Sequence, residues 1–118
     1  MATGFDLAVA QFIARCRYVT SVQDLITKWR LELGDDHVLD LYFNPDLIKY
    51  SYTLIKRGER ILGWDNARHY PGLENFPHHV HLSDRRVEPS ALTGDPARDL
   101  DLVRQEIERY LDNLGAVA

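Results

Sequence analysis

Apolar residues recur at two different spacings along this chain, and the changes of spacing divide it into elements. Phe5, Val9, Phe12, Ile13 and Cys16 follow helical spacing, with Thr3 placed to cap, and predict a short amphipathic helix near the N-terminus. From Leu25 the period becomes two: Leu25, Trp29, Leu31 and Leu33 share one face, and Lys28, Arg30 and Glu32 the other, as in a half-buried strand. Gly34, Asp35 and Asp36 then form a turn into a second alternating run, His37 to Phe43, and the two runs predict a hairpin. Asn44-Pro45-Asp46 ends that strand. A second hairpin follows, with Ile48, Tyr50, Tyr52 and Leu54 on one face and Gly58 at its turn.

A loop from Ala67 to Phe76 precedes a fifth strand at about residues 78–82, and the stretch SDRRVEPSALTGDPARD reads as a surface connection without steady period. The last element is a helix with Asp95 as cap, Pro96 at the first helical position and Gly115 just past its end. Its stripe of Leu100, Val103, Ile107, Leu111 and Leu114 lies opposite Arg98, Asp101, Glu108 and Asp112, an acidic face read as solvated. The predicted architecture is α+β: a small, mainly antiparallel β-sheet of about five strands with an N-terminal and a C-terminal helix packed on it.

Composition changes this picture little. One hundred and eighteen residues, 45% hydrophobic and 27% charged, suit a single domain spanning 1–118 with one core, and no repeat or low-complexity run argues otherwise. The N-terminal stretch lacks a basic leader and no apolar window is long enough to span a bilayer, so neither export nor a membrane partner is expected. The lone Cys16 builds no disulfide framework and reads as a small buried hydrophobe, in keeping with a cytoplasmic location. The net charge of −4 argues against a protein coated in nucleic acid. Residues 49–86 reverse that balance, however, with seven Lys or Arg against four Asp or Glu, and this basic middle contains four of the five histidines.

Three of them crowd the segment FPHHVHL. On a strand, His79 and His81 share one face, with Cα atoms roughly 6.5 Å apart, while His78, Val80 and Leu82 share the other and Val80 and Leu82 select the core. Two imidazoles would then flank one small ligand. An ordinary pKa of about 6.5 lets one be neutral and the other protonated, which suits a general base and acid for metal-free RNA cleavage, with Arg68, Arg60 or Lys56 stabilising phosphate charge. The same His-x-His spacing also suits a divalent metal, completed by His69 or Asp65, and Asp65 could instead orient a histidine through its second nitrogen. Structural histidines are the third reading. His78, His37, Tyr50 and Tyr52 fit buried, hydrogen-bonded positions, and Lys56, Arg57 and Arg60 fit a solvated hairpin tip. No phosphate-binding glycine loop, Rossmann fingerprint, paired-cysteine zinc motif or nucleophile elbow is present.

The order Tyr50 and Tyr52, a hairpin, Asp65-Asn66-Ala67 with His69, a short loop, and Phe76-Pro77-His78-His79 with His81 resembles the TumE family of small toxins from prokaryotic toxin–antitoxin systems. The resemblance covers residues 50–82. The chain departs from the family pattern at Gly63, Arg68 and Val80, where a basic residue, a proline and a lysine are often found. The resemblance implies a growth-inhibiting toxin, a ribonuclease that acts on RNA and is neutralised by a cognate antitoxin, often one with a helix-turn-helix domain. Carried over by position, it makes His79, His81, His69 and Asp65 the catalytic candidates, with Asn66, His78 and Tyr50 or Tyr52 against the substrate; Arg68, Lys56 and Arg60 join them as substrate contacts on the strength of the basic segment, not of the resemblance. No cofactor is required on this reading, and a divalent metal stands as the alternative.

Overall fold

The computed structural model describes residues 3–117, and the side chains of residues 3–115. Helix α1 (Gly4–Arg15) starts with a capping box: the Asp6 N–H donates to the Thr3 hydroxyl at 3.0 Å, and the Thr3 N–H donates to the Asp6 carboxylate at 3.3 Å. Seven strands follow: β1 (Ser21–Asp24), β2 (Trp29–Gly34), β3 (His37–Asn44), β4 (Lys49–Lys56), β5 (Glu59–Asp65), β6 (His79–Leu82) and β7 (Val87–Pro89). They pair in sequence order, every neighbour antiparallel, and helix α2 (Pro96–Val117) closes the chain. The β2–β3 and β4–β5 turns use Gly34, Asp35 and Asp36, and Arg57 and Gly58, all at positive φ, which matches the twist of paired strands.

Seven strands replace the expected five. β1 is an edge strand with all four residues exposed, so it carries no alternation for a hydrophobic pattern to reveal. β7 lies inside the stretch read as a connection and is held by backbone pairing to β6. Leu25 does not begin β2: Leu25 and Lys28 close a turn, their N–H and carbonyl 2.9 Å apart, with Ile26 at φ 72° and 96% exposed. Nor does Gly115 end the last helix, which runs to Val117.

Register explains the two faces of the sheet. Trp29, Leu41, Tyr52, Trp64 and Val80 stand opposite one another across five strands, and with Leu31, Leu39 and Leu54 they face the helices. Val9, Phe12, Leu100, Val103, Ile107 and Leu111 complete that core. The polar side of α2 is more than a solvated surface, because Arg15 pairs with Asp101 and Arg17 with Glu108 and Asp112, and Glu108 is buried. The opposite sheet face holds two polar rows: Arg30, Asp40, Thr53, Gly63 and His81, and beside it Tyr42, Ser51, Asp65 and His79.

Candidate active site on the outer face of the sheet

Asp65 ends β5 directly opposite His79 on β6, and His81 lies two residues further on the same face. The three side chains converge. Asp65 Oδ1 is 3.0 Å from His79 Nε2, Asp65 Oδ2 is 3.2 Å from His81 Nε2, and the two Nε2 atoms are 3.1 Å apart. The imidazoles therefore turn their Nε2 atoms toward each other and toward the carboxylate. His79 also leaves solvent, being 1% exposed, and the ring of Tyr70, from the segment between β5 and β6, packs edge-on against it at 4.8 Å.

The protons of this cluster follow from its partners. His79 Nδ1 is 3.0 Å from the Pro77 carbonyl, which only accepts, so Nδ1 carries a hydrogen and donates it. In a neutral ring that places the lone pair of His79 at Nε2. With His81 Nε2–H donating to Asp65, Nδ1 is the lone-pair nitrogen of a neutral His81, and it has no hydrogen-bond partner among the described residues. Burial and then the charge of Arg60 press the His81 pKa below its ordinary value, against the pull of Asp65. Arg60 comes this close because Gly63, beside His81 in the register, has no side chain: a Cβ there would stand 2.9 Å from Arg60 Cδ.

The triad opens on a cleft of about 290 Å³ whose walls include Tyr42, Lys49, Ser51 and His69. A second cleft of about 490 Å³ adjoins it, lined by Asn66, Arg68, His78 and Thr93, and Lys49, Ala67 and His69 border both. Asn66 is committed to structure, accepting from the Tyr50 N–H at 3.1 Å and donating to the Ile48 carbonyl at 2.7 Å. Arg68 lies over the Phe76 ring at 4.8 Å.

Other predicted residues turn their polar groups away from the triad, although His78 lines the second cleft and Tyr50 the first. His78 points to the core side, as alternation requires, where its Nδ1 shares a 2.8 Å hydrogen bond with the Tyr50 hydroxyl. Burial pushes its pKa down, although Asp99 opposes the shift. The Tyr50 and Tyr52 rings stack at 4.9 Å inside the core, and burial raises both hydroxyl pKa values. The Tyr52 hydroxyl has no protein partner among the described residues. Lys56 stands at the β4–β5 turn and lines neither cleft. His37 is buried, 3.0 Å from the Tyr110 hydroxyl.

Sequence reasoning passed over three contributors. Lys49 was legible in principle, since it alternates with Tyr50 and shares the outer face with Ser51. Tyr70 sits in a loop without periodicity. Asp99 is wholly buried yet accepts from the N–H groups of Thr93 and Gly94 and the Thr93 hydroxyl, fixing the turn into α2.

The family model described as Toxin TumE matches residues 9–111, from α1 through most of α2. The chain belongs to the TumE toxin family. It is thus the toxin of a toxin–antitoxin system, and family membership implies an antitoxin partner. No curated protein and no solved structure shows a significant match to it. Among the described residues of this TumE-family chain, no helix is long and apolar enough to cross a membrane.

Proposed function

We propose that this TumE-family toxin is an endoribonuclease that cuts single-stranded RNA by metal-independent proton transfer in the Asp65–His79–His81 cleft. The observation that carries the reading is the contact of Asp65 with His81 Nε2, which leaves Nδ1 as the free basic nitrogen of the neutral ring. A carboxylate that holds one imidazole nitrogen fixes the tautomer and orientation of the other. Asp65 and the buried His79 are positioning residues on this account, and His81 is the catalytic base.

His81 takes the proton of a ribose 2'-hydroxyl, and the 2'-oxygen forms a bond to the adjacent phosphorus. The bond from phosphorus to the 5'-oxygen breaks, and that oxygen receives a proton from protonated His69 on the same cleft. The products are a 2',3'-cyclic phosphate and a 5'-hydroxyl. Arg60 beside His81, and Lys49 and Arg68 along the paired clefts, supply positive charge for phosphate oxygens. The depressed His81 pKa favours a neutral base near neutral pH. The cognate antitoxin, encoded beside the toxin and carrying a helix-turn-helix domain, would silence this activity in the cytoplasm.

Expression with and without the neighbouring gene, followed by mapping of new RNA ends, tests the reading. Growth arrest with new 5'-hydroxyl ends, abolished by the neighbour, is expected. Growth arrest with intact RNA would refute cleavage and favour a toxin that acts by occupying another macromolecule.

A further inference from the structure

We propose that Asp65, His79 and His81 also bind one divalent transition-metal ion of the zinc type, and that its binding silences the toxin. The binding half stands on geometry alone, and the silencing half rests on the proton-transfer reading above.

The three contacts of the cluster lack hydrogens to satisfy them together. His79 Nδ1–H is committed to the Pro77 carbonyl, so a neutral His79 turns a lone pair on Nε2 toward Asp65 Oδ1, itself an acceptor, at 3.0 Å. The one hydrogen between the rings, on His81 Nε2, serves Asp65 or His79 but not both fully. A second proton, on His79 Nε2, would repair the contact with Asp65 and leave two N–H groups facing each other at 3.1 Å. A single cation among the three atoms satisfies every contact at once.

The donor set also suits such an ion chemically. Two imidazole nitrogens and one carboxylate are ordinary zinc ligands, and a ligand histidine commonly donates its other N–H to a backbone carbonyl, as His79 does to Pro77. Bonds of about 2.0–2.1 Å at tetrahedral angles put donors roughly 3.3–3.4 Å apart, so the 3.0–3.2 Å spacings here need to open by only a few tenths of an ångström, about 0.1–0.4 Å, to seat the ion. All their candidate ligand atoms lie within 4.8 Å of one another. The side chains of His81 and Asp65 keep 14% and 22% exposure, so the ion has a way in from the cleft. Arg60 is the opposing charge beside His81.

Metal binding takes the Nε2 lone pair of His81 and moves the ring's hydrogen to Nδ1. That is the nitrogen the proposed chemistry requires free. The ion and the 2'-hydroxyl proton therefore compete for one imidazole.

Equilibrium dialysis of chelator-treated full-length protein against zinc chloride, with elemental analysis and a parallel RNA cleavage assay, tests both halves. One zinc per chain is expected, retained by His69→Ala and weakened more than about 10-fold in Asp65→Asn and His81→Ala, both confirmed folded by circular dichroism. Cleavage by the parent should fall over the zinc range in which binding saturates and return with chelator. No retained zinc, or equal retention by the two triad variants, would overturn the site. Cleavage that needs zinc would overturn the silencing role, whereas bound zinc in a protein that cuts no RNA in any metal state would sink the nuclease reading and leave the site standing.

Discussion

The ring of Tyr70 stands edge-on to the imidazole of His79, centroids 4.8 Å apart, and also lies within 6.1 Å of His81 and 6.3 Å of His69. Its ring packs against all three histidines of the cleft. Tyr70→Ala should cost about 1–2 kcal/mol of stability and lower RNA cleavage at least about 10-fold by loosening His79. Tyr70→Phe keeps the ring and should retain both. Thermal melting and cleavage rates of the two variants separate the effect of the ring from that of the hydroxyl.

Tyr50 and Tyr52 stack as neighbours, yet their hydroxyls have opposite standing. Tyr50 is hydrogen-bonded to His78 and Tyr52 has no protein partner among the described residues. Tyr50→Phe should destabilise by about 1 kcal/mol, because a half-buried imidazole nitrogen loses its partner. Tyr52→Phe should be neutral or stabilising by up to about 1 kcal/mol, since it removes a buried hydroxyl that gains nothing from folding. Denaturant unfolding of the two variants, with unchanged slopes, would check the contrast.

Asp40 holds Arg30 through two contacts, of 2.7 and 3.0 Å, and Lys28 through one of 2.7 Å. Burial alone would raise its pKa, but these cations together hold it below the usual carboxylate value. A folded pKa below the unfolded one means that the stabilisation is complete above about pH 4. It is lost as pH falls through the folded value. Asp40→Asn should therefore lower stability by about 1–2 kcal/mol at neutral pH, and the gap in melting temperature from the parent should narrow as pH falls below about 4. A gap independent of pH would contradict the assignment.

Gly63→Ala tests the role of Arg60 without removing its charge. The new methyl meets Arg60 Cδ, part of a flexible side chain, so the arginine must leave its place beside His81 while the strand remains. Stability should change by less than about 1 kcal/mol, whereas cleavage should fall about 10-fold if Arg60 stabilises the phosphate. An unchanged cleavage rate would remove Arg60 from the mechanism.

Much of the fold and part of the site were legible in the residues because alternation and helical spacing report burial. Strand alternation alone separated His79 and His81 from His78, and the structure sends the first pair to the outer face and the third to Tyr50. Turn chemistry at Asp35-Asp36 and Arg57-Gly58 marked both hairpins. What escaped lacks such a signal: β1 is exposed throughout, β7 is three residues long, and Tyr70 acts from an irregular loop. Contact between the two imidazoles was also beyond the pattern, because alternation assigns a face and not a rotamer. Gly63 looked like a departure from the family pattern, and only the path of Arg60 gives it a purpose.

The central claim, that His81 moves the proton under the guidance of Asp65, is tested most directly by single-turnover cleavage of a single-stranded RNA by chelator-treated protein. The account predicts 2',3'-cyclic phosphate ends from the parent, with the rate lowered at least about 100-fold in His81→Ala and at least about 10-fold in Asp65→Asn. Parental rates in folded His81→Ala, or loss of all cleavage on chelation, would contradict it.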